Sequence, residues 1–435
     1  MQTPLLKQIS NQLAVQLFAA LLADYSRRNL QVRLWDGSVL GSDHPRYTVV
    51  LKNPEALREM FVSPSELSLG EAYIFDDLDI EGDINAAFGL ADYLLAQGSD
   101  GPWQRLHLGG VWRSLPLLSE TPNDGRSAQL EGAVHSRDRD RQAIRFHYDL
   151  PAEFFALWLD QRMVYSCAYF PGAEECDLDT AQYRKLDYLC RKLRLRRGDR
   201  LLDLGCGWGG LVIHAASHYG AEALGITLSL PQAEVARQRI REAGLHDRCR
   251  VEVCDYRDLE MDVPFDKIVS VGMFEHVGEA QLPEYFLKAW QLLRPGGAFM
   301  NAGISASATY QRQGPSFIER YVFPDGELVP LSTSLGVAER CGFEIRDVES
   351  LREHYALTLQ HWVRRLEAHA EQAKRTVDET TYRIWRLYMA ASAHGFRSAR
   401  MNLYHTLFAK PARGESGMPL TRDDWYRDSV VESRR

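Results

Sequence analysis

The stretch Leu201-Leu202-Asp203-Leu204-Gly205-Cys206-Gly207-Trp208-Gly209-Gly210 decides the fold: an apolar run ends in an acid and breaks into four glycines within six residues. Glycine carries no Cβ, so repeated glycine lets the backbone turn tightly and approach a ligand closely. The following Leu211 to Ala216 resumes a helical pattern. Strand, glycine turn and helix in that order make a ligand-binding junction; the plainer alternative is that the glycines only shape a tight turn.

Gly205, Gly207 and Gly210 satisfy the spacing of the dinucleotide fingerprint. That reading needs an acid about 20 residues on, at the end of the second strand, to bind a ribose. Here the second strand, Ala221 to Ile226, runs into Thr227-Leu228-Ser229 and then Pro231-Gln232, with no acid at its end. Asp203 stands before the glycines instead, where class-I methyltransferases commonly carry an acid, and the cofactor reading shifts from a nicotinamide or flavin to S-adenosylmethionine.

Outward from this turn, strand and helix patterns alternate: strands over Arg200–Leu204, Ala221–Ile226, Arg250–Cys254, Asp266–Val271 and Gly297–Ala302. Helices over Gln232–Ala243 and Gln281–Arg294 end at glycines. Alternation predicts an α/β fold with a parallel sheet covered by helices. Ligands of such sheets bind beyond the carboxyl ends of the strands, which gathers Gly205, Thr227, Asp255 and Glu275.

A chain of 435 residues exceeds one ordinary core. Residues 1–97 read as a smaller α+β domain: an amphipathic helix at Leu13–Ala23, a hairpin through Asp36-Gly37, a strand at Tyr47–Leu51 and a short helix at Pro54–Met60. Residues 98–140 read as a linker and 141–435 as the catalytic domain. The linker ends in Arg137-Asp138-Arg139-Asp140-Arg141, a mixed-charge run expected on a solvated helix face. A net charge of −8 leaves no footprint for nucleic acid. Seven scattered cysteines without a paired metal-ligand motif fit a reducing cytoplasm, and the Leu13–Ala23 stretch is too short to span a bilayer.

Taken in order, Phe146-His147-Tyr148-Asp149-Leu150, Tyr165-Ser166-Cys167-Ala168-Tyr169-Phe170, the glycine turn, Gly225 to Ser229 with Gln232, Cys254 to Asp258, Val271 to Gly278, Tyr321 to Gly326 and His354-Tyr355 resemble the cyclopropane-fatty-acyl-phospholipid synthases over nearly the whole chain. The resemblance implies a Rossmann-like class-I methyltransferase domain that uses S-adenosylmethionine. It implies that Tyr165, Ser166, Asp203, Gly205, Gly207, Gly209, Thr227, Leu228, Gln232, Asp255, Tyr256 and Arg257 contact the cofactor, with Gln232 near the ribose and Asp255 near the adenine. The plain role for Asp255 is a turn cap after a strand.

The implied reaction is demanding, because an alkene is a weak nucleophile and must meet the methyl in line with the departing sulfur in a dry pocket. Aromatic faces stabilise the resulting cation without trapping it, with Tyr165 and Tyr355 as the family-matched candidates. In the family a bound bicarbonate takes the final proton; its matched ligands here are Cys167, Glu275, Ile304 and Tyr355, with Cys167 a contact rather than a nucleophile. The family's histidine is replaced by Ala302, and a C-terminal cysteine by Ser392. Ring closure, an exomethylene or methyl-branched product, and a non-catalytic lipid-binding homologue therefore stay open.

The implied substrates are unsaturated acyl chains of phospholipids, reached by transient peripheral membrane contact from the cytoplasm, with a homodimer as the implied assembly. C-terminal helices over Tyr355–Arg375 and Asp378–His394 are expected to cover the acyl pocket. Their arginines, Arg364, Arg365, Arg383 and Arg386, with Arg397 and Arg400 beyond, are expected mostly on a solvated face, with headgroup contact as the alternative.

Overall fold

The computed structural model describes residues 11–426 apart from 13, 17, 20–24, 26–28, 55, 57–64, 98–125, 173–175 and 310–315. Most of the expected linker, the Pro54–Met60 helix and part of the Leu13–Ala23 helix lie outside the described residues. Two compact units emerge: one of residues 1–129, 311–322 and 370–394, and one of residues 130–310, 323–369 and 395–435.

In the first unit, β1 (Leu30–Arg33), β2 (Val39–Gly41), β3 (Tyr47–Leu51) and β4 (Leu78–Gly82) form a sheet in the order β2-β1-β3-β4, packed by α1 (Glu66–Ile74) and α2 (Ile84–Gln97). The β1–β2 hairpin turns at Asp36-Gly37, where Gly37 takes φ +87°. Arg383 and Arg386 do not lie on a solvated face or reach outward. Both are buried, Arg383 donating to the Tyr73 and Leu78 carbonyls at 2.7 and 2.9 Å and Arg386 to the Tyr73 hydroxyl at 2.7 Å and the Ile80 carbonyl at 3.1 Å. A buried guanidinium is tolerable only when its donors are satisfied, and here they knit one helix to the sheet.

The second unit is built on β5 (Arg200–Leu204), β6 (Glu222–Thr227), β7 (Cys249–Val253), β8 (Phe265–Val271), β9 (Leu293–Ala306), β10 (Glu344–Ser350) and β11 (Met401–Ala409), in the order β10-β11-β9-β8-β5-β6-β7. The run β9-β8-β5-β6-β7 is parallel, while β10 and β11 are antiparallel. Four of the five residues of β5 are buried, as a strand covered on both faces must be. One face packs Leu189, Val212, Ala236, Met300 and Leu407; the other packs Leu202, Leu224, Phe286, Phe299 and Phe408.

The chain leaves β5 to one side for β6 and places β8 on the other, which opens a crevice at the carboxyl end of β5. Two expectations change. The helix before β9 ends at Leu292, and Pro295-Gly296-Gly297 belongs to the strand, because the Gly296 amide donates to the Lys410 carbonyl at 2.7 Å and extends the pairing with β11. The charged run on α3 (Arg137–Tyr148) is solvated only in part: Arg139 holds Asp325 and the Gly132 carbonyl, and Asp140 holds Arg257.

Candidate active site

Three turns at the carboxyl ends of β5, β6 and β7 build one pocket. After β5, Gly205, Gly207 and Gly209 take φ +85°, +53° and +81°, a region that side chains rarely adopt. A Cβ on Gly205 would lie 2.9 Å from Met273 Cβ, so this glycine is fixed by packing as well as by conformation. After β6, Ser229 caps α5 (Leu230–Glu242) by accepting from the Gln232 amide at 3.3 Å, while Thr227 Oγ1 donates to Gln232 Oε1 at 2.9 Å. That pair aims the Gln232 side chain. After β7, Asp255 accepts from the Arg257 amide and Nε through Oδ1 and from Nη2 through Oδ2, at 3.0, 2.9 and 2.7 Å.

The pocket wall holds Tyr165, Ser166, Asp203, Gly205, Gly207, Thr227, Leu228, Gln232, Asp255, Tyr256 and Arg257. Gly209 is not in that wall. It starts the helix after the turn, where an added Cβ would stand 3.1 Å from Ala236 Cβ. Asp255 is both the turn cap and a wall residue, and although burial opposes ionisation, the Arg257 hydrogen bonds hold its carboxyl below the usual range.

Asp203 is buried at the foot of the glycine turn. Burial lifts its carboxyl to about 7, with the nearby Lys185 opposing the rise. Lys185, on α4 (Leu178–Lys192), is a wall residue the sequence reading passed over. Its ammonium donates to Ser166 Oγ at 2.8 Å, and burial lowers it to about 8. It occupies the inner face of α4, three residues after Gln182 and four before Leu189, both fully buried; that spacing was the available signal.

Glu275 does not join the pocket wall, although its neighbours Met273, His276 and Val277 do. Its Oε1 accepts from the Ile304 amide at 2.7 Å. Its Oε2 is buried with no hydrogen-bond partner among the described residues, and burial raises the carboxyl to about 7 against the Ile304 hydrogen bond. Ile304 thus positions Glu275, its amide already engaged.

Cys167 is buried, and its thiol lies 3.9 Å from the Leu351 carbonyl. Burial pushes the thiol far above its ordinary range, which removes it as a thiolate nucleophile. Leu351 precedes α6 (Arg352–Ala368), the helix that carries Tyr355. Tyr165 and Tyr355 share one neighbour, Trp362, at ring separations of 5.2 and 6.0 Å, and Tyr165 also meets Trp158 at 5.4 Å. Trp158 and Trp362 were not anticipated.

A glycine-lined pocket, a ring of polar groups without a phosphate cradle, and a buried aromatic cluster suit a positively charged nucleoside cofactor better than a dinucleotide. The family model described as mycolic acid cyclopropane synthetase matches residues 135–406, and one described as a domain of unknown function matches residues 17–91. The chain is 43% identical to a probable fatty acid methyltransferase of Pseudomonas putida over 92% of this chain and 96% of that one. It is 36% identical to the cyclopropane-fatty-acyl-phospholipid synthase of Escherichia coli K12 over 63% of this chain and 69% of that one. The crystal structure of the mycolic acid cyclopropane synthase CmaA1 complexed with SAH and CTAB superposes with a TM-score of 0.58 at 32% identity, covering 62% of this chain and 97% of that one. The fold, the pocket and these likenesses agree that this chain belongs to the mycolic acid cyclopropane synthetase family and is a class-I, S-adenosylmethionine-dependent methyltransferase.

Proposed function

We propose that the chain methylates the double bond of unsaturated acyl chains in membrane phospholipids, and that loss of a proton from the transferred carbon closes a cyclopropane ring. The observation that carries this reading is Glu275: a buried carboxyl with one unpartnered oxygen, held on the Ile304 amide next to residues of the cofactor pocket. A purely structural acid would have both oxygens satisfied.

S-adenosylmethionine supplies the electrophilic methyl when bound. Gly205 and Gly207 bring backbone to it, Gln232 is aimed by Thr227, and Asp255 is fixed by Arg257. Tyr165, Trp158, Trp362 and Tyr355 supply ring faces that lower the energy of a cation on the acyl chain without offering a nucleophile. The unpartnered Glu275 oxygen fits a small hydrogen-bonding oxyanion, so Glu275, Cys167 and Tyr355 would hold a bicarbonate, which when bound supplies a proton acceptor. A carboxyl near 7 can hold or release a proton at neutral pH.

A second reading, a fatty-acid C-methyltransferase giving an exomethylene or methyl-branched chain, is supported by Ala302 at the family's histidine position and by the likeness to a probable fatty acid methyltransferase. Among the described residues no helix is long and apolar enough to cross a membrane. Our reading places the chain in the cytoplasm, as a homodimer by family analogy, touching membranes transiently to reach its substrate.

The test is incubation with methyl-labelled S-adenosylmethionine and oleoyl phospholipid vesicles, followed by mass analysis and proton NMR of the released acyl chains. Cyclopropyl protons support the main reading and vinylidene protons the second. No label transfer to any of several unsaturated lipids would sink both.

A further inference from the structure

β9 and β11 run antiparallel, and Ala302 stands directly opposite His405. The Ala302 carbonyl accepts from the Gly272 amide at 2.9 Å on the β8 side, which makes Ala302 and His405 a pair without mutual hydrogen bonds. Such pairs bring Cα atoms to about 4.5 Å and set the two side chains together on one face. By strand alternation this is the face on which Met300 and Leu407, each two residues away, enter the core.

His405 is 1% exposed, and its Nδ1 is buried with no hydrogen-bond partner among the described residues. An unpaired buried polar atom loses its hydrogen bonds to water without replacement, so a ligand that pairs with it recovers stability. Burial, with the cations of Lys192 and Lys185 and the His354 ring nearby, keeps the imidazole neutral. A neutral ring in a positive field is a good donor to an anion. Another unpartnered buried atom, Glu275 Oε2, belongs to a carboxyl anchored on Ile304, two residues along β9 from Ala302.

We infer that His405 supplies, from the neighbouring strand, the imidazole contact to a bound bicarbonate that Ala302 cannot make. This rests on the proposed anion site, and its ligand is a small oxyanion carrying both a donor and acceptors.

The test titrates 13C-labelled bicarbonate into the full chain and follows its carbon resonance, for the parent, His405→Ala, His405→Gln and the double variant Ala302→His with His405→Gln. Loss of one hydrogen bond to a charged ligand predicts roughly tenfold or more weaker bicarbonate binding by His405→Ala, with S-adenosylmethionine affinity unchanged. His405→Gln nearly preserves volume and separates loss of the contact from loss of packing, and the double variant should recover most of the binding. Unchanged bicarbonate affinity in both single variants overturns the assignment. A parent that transfers label yet binds no bicarbonate overturns the anion site and this inference together. A parent that binds bicarbonate through His405 but transfers no label removes the proposed reaction and leaves the assignment standing.

Discussion

The Ile304 amide holds Glu275 at 2.7 Å, just past the point where β8 ends at Val271 opposite Ala302. Beyond it β9 stays paired with β11 but has no strand on the β8 side, so an amide that would have bonded there is spent on an acid. The position of Glu275 is therefore set by sheet geometry rather than by a flexible side-chain partner.

Glu275→Gln keeps the shape and removes the charge. Product formation should fall at least a hundredfold, the scale expected for a general acid–base group, while calorimetric S-adenosylmethionine affinity stays within about twofold. Substantial retained turnover would remove Glu275 from the reaction.

The same carboxyl gives a pH signature in the ligand-free protein. Its ordinary value of 4.5 is raised to about 7 in the fold, so between those pH values the native state binds the proton more tightly than the unfolded chain. Stability from this group is then greatest below pH 4.5 and declines as pH rises to 7. Glu275→Gln should gain on the parent from pH 4.5 to pH 8, by up to about 3 kcal/mol, as read by denaturant melts. A difference that stays flat across the range would return the carboxyl to its ordinary value.

Arg257→Met leaves Asp255 buried without its bidentate partner. Removing one member of a buried pair commonly costs about 3–5 kcal/mol. The variant should melt earlier and bind S-adenosylmethionine at least tenfold more weakly, and unchanged binding would separate this pair from the cofactor.

Gly205→Ala meets two penalties, a left-handed φ of +85° and a Cβ 2.9 Å from that of Met273. The backbone term alone is about 1–3 kcal/mol. Cofactor affinity should drop more than overall stability, because the strain relaxes by moving the turn; equal affinity in a folded variant would contradict the close approach.

Arg386→Met strands the Ile80 carbonyl and the Tyr73 hydroxyl. Stability should fall by about 2–6 kcal/mol, from roughly 1–3 for each of the two stranded groups. Binding to anionic vesicles should not change, and a clear loss there would restore a headgroup role.

The parallel core was legible because each strand is an apolar run closed by glycine, proline or an acid, and the glycine turn located the cofactor pocket. β10 and β11 were not. Asp347 and Glu349 interrupt one, and Asn402, His405 and Thr406 the other; their backbone partners, not their side chains, make them strands. Lys185 was passed over, and Arg383 and Arg386 were misread, for one reason: sequence shows a charge but not the hydroxyl or carbonyls that allow it to be buried. Cys167 and Glu275 were singled out through motif order, while the service of the Ile304 amide to Glu275 depends on strand pairing that the sequence does not display.

Strand β11 lies between β9 and β10, so the interior of the sheet is completed by residues 401–409. During synthesis the glycine turn emerges first, but β9 lacks a neighbour on that side until residues 401–409 have left the ribosome. A chain cut short before residue 401 would expose the flank of β9, a ready template for edge-to-edge aggregation.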